Sequence, residues 1–197
     1  MKYQELRRQM IDYIRQLPQS GWVVGTSGNM SVRAGDGMLI TPSGVAYLEI
    51  KESDLFYVHA DGTMEDGLGR PTSSLAFHRT IMKERPEVNV ILHTHAPHAI
   101  GASAVSAHIP PLTLSVATRL GGGIPVSPYA ENGSEQEAEN ILSALKHTYW
   151  AVLMQNHGAV SLGTDFNDAW LNMGYIEECC HAYLHCLSTG KAIHTIS

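Results

Sequence analysis

Cysteine is scarce in this chain and poorly placed for cross-linking. Cys179, Cys180 and Cys186 are odd in number and fall in one predicted helix, which excludes a disulfide framework and suits reduced, buried thiols. No CxxC pair occurs, so the sulfur-rich, closed kind of structural zinc site has nothing to build on. Long apolar runs are missing at the start: Met1 to Arg8 reads as a charged amphipathic helix, neither signal peptide nor membrane anchor, and a cytoplasmic location is expected. Positive charge is also short. Lys and Arg number 13 against 19 Asp and Glu, a formal charge of -6, which argues against a nucleic-acid binder or an anionic-membrane binder while leaving room for a local anion site. Internal repeats, low-complexity tracts and long linkers are absent too. With 197 residues, 44% hydrophobic and 16% charged, residues 1–197 are expected to form one α/β domain around a sizeable core.

What is present divides into helix and strand signals. Leu6, Met10, Tyr13, Ile14 and Leu17 share one face of a helix from about Tyr3 to Leu17, which Pro18 should end. Met38 to Thr41 and Asp54 to Val58 are strand-like, with turns at Gly35-Asp36-Gly37 and Asp61-Gly62. Helix signals return from Thr72 to Arg85. Ser134-Glu135-Gln136-Glu137 forms a capping box, in which serine and glutamate satisfy each other's exposed amides, and opens a helix to about His147. A last helix runs from Asn167 to Ser188, with Trp170, Leu171, Tyr175, Cys179, Ala182 and Cys186 at helical spacing, and closes at Gly190.

The most informative stretch is Ile91-Leu92-His93-Thr94-His95. The run from Val88 is rich in β-branched and aliphatic residues and lies between Pro86 and Pro97, as a buried strand would. Side chains alternate along a strand, so His93 and His95 share a face. A second apolar run, Trp150 to Met154, leads to Gln155-Asn156-His157-Gly158, where glycine lets the backbone turn close to a site. Two neighbouring strand ends could thus converge three imidazoles on one metal ion. Three neutral imidazoles with an open position are the ligand set of a catalytic zinc centre. Taken singly, each histidine reads equally as a hydrogen-bonded core or surface residue, and spacing leaves both readings open.

Three turns carry hydroxyls and glycine: Gly25-Thr26-Ser27-Gly28-Asn29-Met30-Ser31, Thr41-Pro42-Ser43-Gly44, and Pro71-Thr72-Ser73-Ser74. Each offers amides and hydroxyls to an anion, and the third opens a predicted helix whose free N–H groups favour negative charge. Ordinary turn and cap chemistry is the competing reading of each turn by itself.

In order, Gly25-Thr26-Ser27-Gly28-Asn29, Leu39 to Gly44, Pro71-Thr72-Ser73, His93-Thr94-His95-Ala96 and Asn156-His157-Gly158 resemble the class II aldolase/adducin family, above all its bacterial L-fuculose-phosphate aldolase group. The likeness extends from Thr26 to about Leu187. It implies a central, mainly antiparallel β-sheet covered by helices, a homotetramer, and a site at a subunit boundary with Zn2+, or Mn2+ or another divalent ion, on His93, His95 and His157. It further implies a phosphate pocket at Thr26, Gly28, Asn29, Ser43, Gly44, Thr72 and Ser73. The implied reaction is aldol cleavage of a ketose 1-phosphate to dihydroxyacetone phosphate and an aldehyde, through a metal-stabilised enediolate.

Two positions depart from that pattern. The family has an acidic acid/base residue where this chain has Ser74, and a serine hydroxyl is no general base near neutral pH without another group to activate it. A tyrosine used for proton transfer would fall near Leu114, which has no hydroxyl. Substitution, different chemistry and loss of turnover with retained binding all account for the change. Tyr129, Glu131 and His98 are the candidate replacement proton carriers, with His98 also able to support the metal ligands. Related epimerase, dehydratase and decarboxylase reactions, and a silent adducin-like binding module, are the alternatives.

Overall fold

The strands of the computed structural model, which describes residues 1–146 and 148–196, join into one nine-stranded sheet. In chain order they are β1 (Asn29–Ala34), β2 (Gly37–Ile40), β3 (Phe56–Val58), β4 (Met64–Asp66), β5 (Val90–Thr94), β6 (His108–Ile109), β7 (Ile124–Ser127), β8 (Ala151–Met154) and β9 (Gly158–Gly163). Their order across the sheet is β4-β3-β2-β1-β5-β9-β8-β7-β6. Neighbours are antiparallel except β7 and β8, which run parallel, so the sheet is mixed with a strong antiparallel majority.

Helices cover both faces: α1 (Gln4–Ile14), α2 (Leu17–Ser20), α3 (Leu75–Glu84), α4 (Pro97–Val105), α5 (Leu114–Arg119), α6 (Glu135–Leu145) and α7 (Phe166–Ser188). The central strand β5 shows why two layers are needed. All five of its residues are buried, and alternation sends Val90 and Leu92 into one core and Ile91 into the other. The first core packs against α1, α4 and α7 through Met10, Ile14, Ala99, Met173 and Ile176. The second packs against α3 and α6 through Phe77, Ile81, Ala138 and Ile141. Each fully buried Ile, Leu or Phe contributes about 1.5–3 kcal/mol of hydrophobic stabilisation before entropy is counted.

Local departures from the expected elements have local causes. The first helix stops at Ile14, and Pro18 sits inside the first turn of the short α2, where its missing N–H costs nothing. The Thr72–Arg85 helix begins only at Leu75, because Thr72 and Ser74 are used in a turn ahead of it. Ser134 caps α6 by accepting the Glu137 N–H at 3.1 Å, as the capping box requires, but the Glu137 carboxylate accepts the N–H of Gly133 instead of Ser134. α6 ends at Leu145, and the expected end near His147 lies outside the described residues. Cys179, Cys180 and Cys186 are all free, the first two buried in α7.

Candidate metal centre

Antiparallel pairing of β1, β5 and β9 puts the start of β1 and the start of β9 on either side of the end of β5. His93 is opposite Asn29 on one side and Val160 on the other. His95 lies just beyond the strand, and His157 lies in the turn that joins β8 to β9. That turn is shaped by Asn156, which takes a left-handed conformation (φ 58°) that asparagine tolerates, and whose N–H donates to Ser103 Oγ at 3.1 Å. Gly158 then crosses β5 so closely that a Cβ there would lie 2.2 Å from the Thr94 carbonyl oxygen. Only glycine allows the two strand ends this approach.

The three rings form a near-equilateral triangle, with centroids 5.1 Å (His93–His95), 5.0 Å (His93–His157) and 4.9 Å (His95–His157) apart. Each offers a nitrogen, and these three atoms lie within 4.8 Å of one another. His93 Nδ1 is 3.0 Å from the Ala159 carbonyl oxygen; the N–H must be there, which leaves the Nε2 lone pair free. Burial, helped by the neighbouring His157 and His95, holds the His93 pKa well below its usual value. Burial followed by His157 lowers that of His95 too. Neutral imidazoles with free lone pairs are the donors that zinc and similar divalent ions take. The trio fits such an ion.

The three hydroxyl- and glycine-bearing turns are joined to one another, the first of them against His93. Gly28 (φ 83°) packs so tightly that a Cβ would lie 2.7 Å from the His93 carbonyl oxygen. Ser43 N–H donates to Arg70 O (2.8 Å) and Thr72 N–H to Thr41 O (3.2 Å), joining the second turn to the third. The Asn29 amide ties the first turn to the third, donating to Thr72 Oγ1 at 3.0 Å and to Ser74 Oγ at 3.1 Å. Asn29, Thr72 and Ser74 are buried, while Thr26, Ser43, Gly44 and Ser73 are exposed. The buried members hold the turns together, and the exposed ones are available to a ligand.

His78 anchors this assembly from α3. Because Asn29 Nδ2 is the donor to Thr72 and Ser74, Asn29 Oδ1 accepts from His78 Nε2–H at 2.5 Å, and His78 Nδ1 accepts the Ser31 hydroxyl at 2.6 Å. Both imidazole nitrogens are used in the neutral form, and complete burial lowers the His78 pKa to about 3. Unfolding returns it to about 6.5. The unfolded chain therefore binds the extra proton between pH 6.5 and 3, so this contribution to stability is complete above 6.5 and is lost as pH falls. Denaturant unfolding of the metal-free protein at pH 7 and pH 5 should show a loss about 2 kcal/mol smaller in His78→Gln than in the wild type. Equal losses would mean that His78 is not held neutral.

The other candidate residues divide. Tyr129 and Glu131 are exposed on the loop before α6. That loop is fastened to the site: Tyr129 N–H donates to Gln155 Oε1 at 3.1 Å, and Asn132 Nδ2 to Ser73 Oγ at 3.3 Å. His98 is engaged by α7, with Nδ1 2.7 Å from Glu177 Oε1 and its ring stacked on His181. Leu114 is 66% exposed at the start of α5. Sequence reasoning missed His78, and it took Glu137 for a helix cap alone. Glu137 is buried, and its Oε1 lies 3.5 Å from His157 Nδ1.

The family model for the class II aldolase and adducin N-terminal domain matches residues 8–184. The chain belongs to the class II aldolase and adducin family. L-fuculose phosphate aldolase of Escherichia coli K12 is 33% identical over 197 residues, spanning 100% of this chain and 91% of the relative. The 5-methylthioribulose-1-phosphate/5-deoxyribulose-1-phosphate aldolase of Rhodospirillum rubrum is 35% identical over 186 residues, 94% of this chain and 83% of that one. Among solved structures, an L-fuculose 1-phosphate aldolase superposes with a TM-score of 0.94 at 27% identity, covering 100% of this chain and 92% of the other. The mixed sheet clad in helices is thus the class II aldolase fold. Among the described residues, no helix is long and apolar enough to cross a membrane.

Proposed function

We propose that residues 1–197 act as one class II aldolase domain that holds a zinc ion on His93, His95 and His157 and cleaves a ketose 1-phosphate into dihydroxyacetone phosphate and an aldehyde. The observation that carries the reading is the convergence of three imidazole nitrogens within 4.8 Å, with hydroxyl- and glycine-bearing turns nearby whose Thr26, Ser43, Gly44 and Ser73 are exposed. When bound, the ion supplies a Lewis acid for the charge that develops on substrate oxygens. Thr26, Gly28, Ser43, Gly44 and Ser73 bind the phosphate at the turn amides and hydroxyls and the start of α3, and buried Asn29 and Thr72 fix the turns' positions.

In the cleavage step the bond between the third and fourth sugar carbons breaks, the fourth carbon's hydroxyl loses its proton to become the aldehyde, and a proton is returned to the third carbon. Tyr129 and Glu131 are the groups of this chain offered for those transfers, on a loop tied to both Ser73 and Gln155. A homotetramer in the cytoplasm completes the reading. A second reading has its own observation: Ser74, buried and accepting a hydrogen bond from Asn29, supplies no carboxylate, which favours an epimerase, dehydratase or decarboxylase reaction on the same scaffold.

The test is to give the zinc-loaded protein L-fuculose 1-phosphate, 5-deoxyribulose 1-phosphate and 5-methylthioribulose 1-phosphate, following dihydroxyacetone phosphate by coupled reduction. Release from at least one is expected. Silence across the panel from protein that holds stoichiometric zinc would reject aldol cleavage and leave the second reading.

A further inference from the structure

Glu137 is a buried carboxylate with two partners. It is the third residue of α6, 5% exposed. Its Oε2 accepts the Gly133 N–H at 2.8 Å, and its Oε1 lies 3.5 Å from His157 Nδ1. The first contact is not loose. Gly133 has φ 79° and passes so near the Ser73 carbonyl oxygen, 2.6 Å from where its own Cβ would be, that a side chain has no room there. One carboxylate oxygen is thereby hydrogen-bonded, and the other is within ion-pair distance of the histidine. A helix cap alone needs only the first contact, yet burying a charge without a second partner would be costly.

From this geometry we infer that Glu137 is a positioning residue for the metal centre, holding the proton of His157 on Nδ1 so that Nε2 is presented to the ion. The inference rests on the metal reading above. Among the described residues the convergent group consists of His93, His95 and His157, without Glu137, which reaches the trio only through His157 Nδ1. The two buried or half-buried donors differ accordingly. His93 is oriented by a backbone carbonyl, Ala159 O, whereas His157 is oriented by a charge. A carboxylate behind an imidazole fixes the tautomer, strengthens the imidazole as a donor and offsets part of the ion's charge. With the neutral Ser74 hydroxyl at the start of α3, that offset comes from α6 instead.

Glu137→Gln separates this role from capping, since glutamine still accepts the Gly133 N–H as capping boxes allow. Zinc affinity, measured by competition with a chromophoric chelator, should fall about 10- to 100-fold, while the unfolding midpoint of the metal-free protein stays near that of the wild type. The cobalt-substituted variant should also show shifted visible bands. A folded Glu137→Gln protein with wild-type zinc affinity would overturn the inference. If that variant fails to fold, nitrogen-15 NMR of the zinc-loaded wild type decides: a protonated Nδ1 with coordinated Nε2 at His157 supports the inference, and coordination through Nδ1 overturns it. Failure of the metal reading looks different, since the wild-type protein itself would then hold no stoichiometric zinc.

Discussion

His157→Ala should leave a folded protein that no longer retains zinc through dialysis. If the roughly 10–16 kcal/mol of a four-ligand structural zinc site is shared equally, each ligand contributes about 2.5–4 kcal/mol, and losing one of three weakens binding roughly 10²- to 10³-fold. His157 is the cleaner member to remove because it lies half-buried in a turn. His93→Ala should lose zinc equally but also lose stability. His93 is 1% exposed, faces the Phe77 ring edge-on and donates to Ala159 O, so its removal leaves a void and an unpaired carbonyl. His108→Ala is the control: His108 lies on the edge strand β6, its ring against Tyr149, and zinc content should not change. Inductively coupled plasma analysis with a chelator titration reads all three. Normal zinc in His157→Ala would remove that residue from the ligand set.

Much of this centre was legible because it depends on short-range rules. Alternation along an apolar run puts His93 and His95 together, and a glycine after His157 permits the crossing over β5. The strand Val88–His95 and the long α7 helix carry strong periodic signals, and both stand within a residue or two of their expected limits. What was illegible is non-local. β1 contains the polar Ser31 and Arg33, and reads as a strand only once Arg33 is seen bonded to the carbonyls of Met82, Arg85 and Val88 and Ser31 to His78. β6 is two residues long and exists through its pairing with β7. Glu137 satisfies a local capping pattern, which hides its second contact with a residue 20 positions away. The strand order, with β9 inserted between β5 and β8, follows from packing that no local window contains.

Ser74→Glu should be the most productive substitution if aldol cleavage is the reaction. The site is prepared for an acceptor: Ser74 precedes the first turn of α3, its Oγ takes an Asn29 N–H at 3.1 Å, and the helix N-terminus favours negative charge by about 0.3–1 kcal/mol. Against this, Ser74 is only 2% exposed, so a new carboxylate without an ion beside it is desolvated at a cost of several kcal/mol. These opposed effects give a test in two parts. Metal-free Ser74→Glu should unfold at lower denaturant than the wild type, and zinc should restore more stability to it than to the wild type. With zinc bound, dihydroxyacetone phosphate release should rise by roughly 10²- to 10⁴-fold, the usual range for a positioned acid/base group. Ser74→Gln supplies the same shape without the charge and should give no such rise. Equal rates in the two variants would assign any gain to shape. A zinc-loaded Ser74→Glu protein no faster than the wild type would mean that the absent carboxylate is not what limits cleavage, and silence of both proteins would mean that the trio serves a reaction other than retro-aldol chemistry.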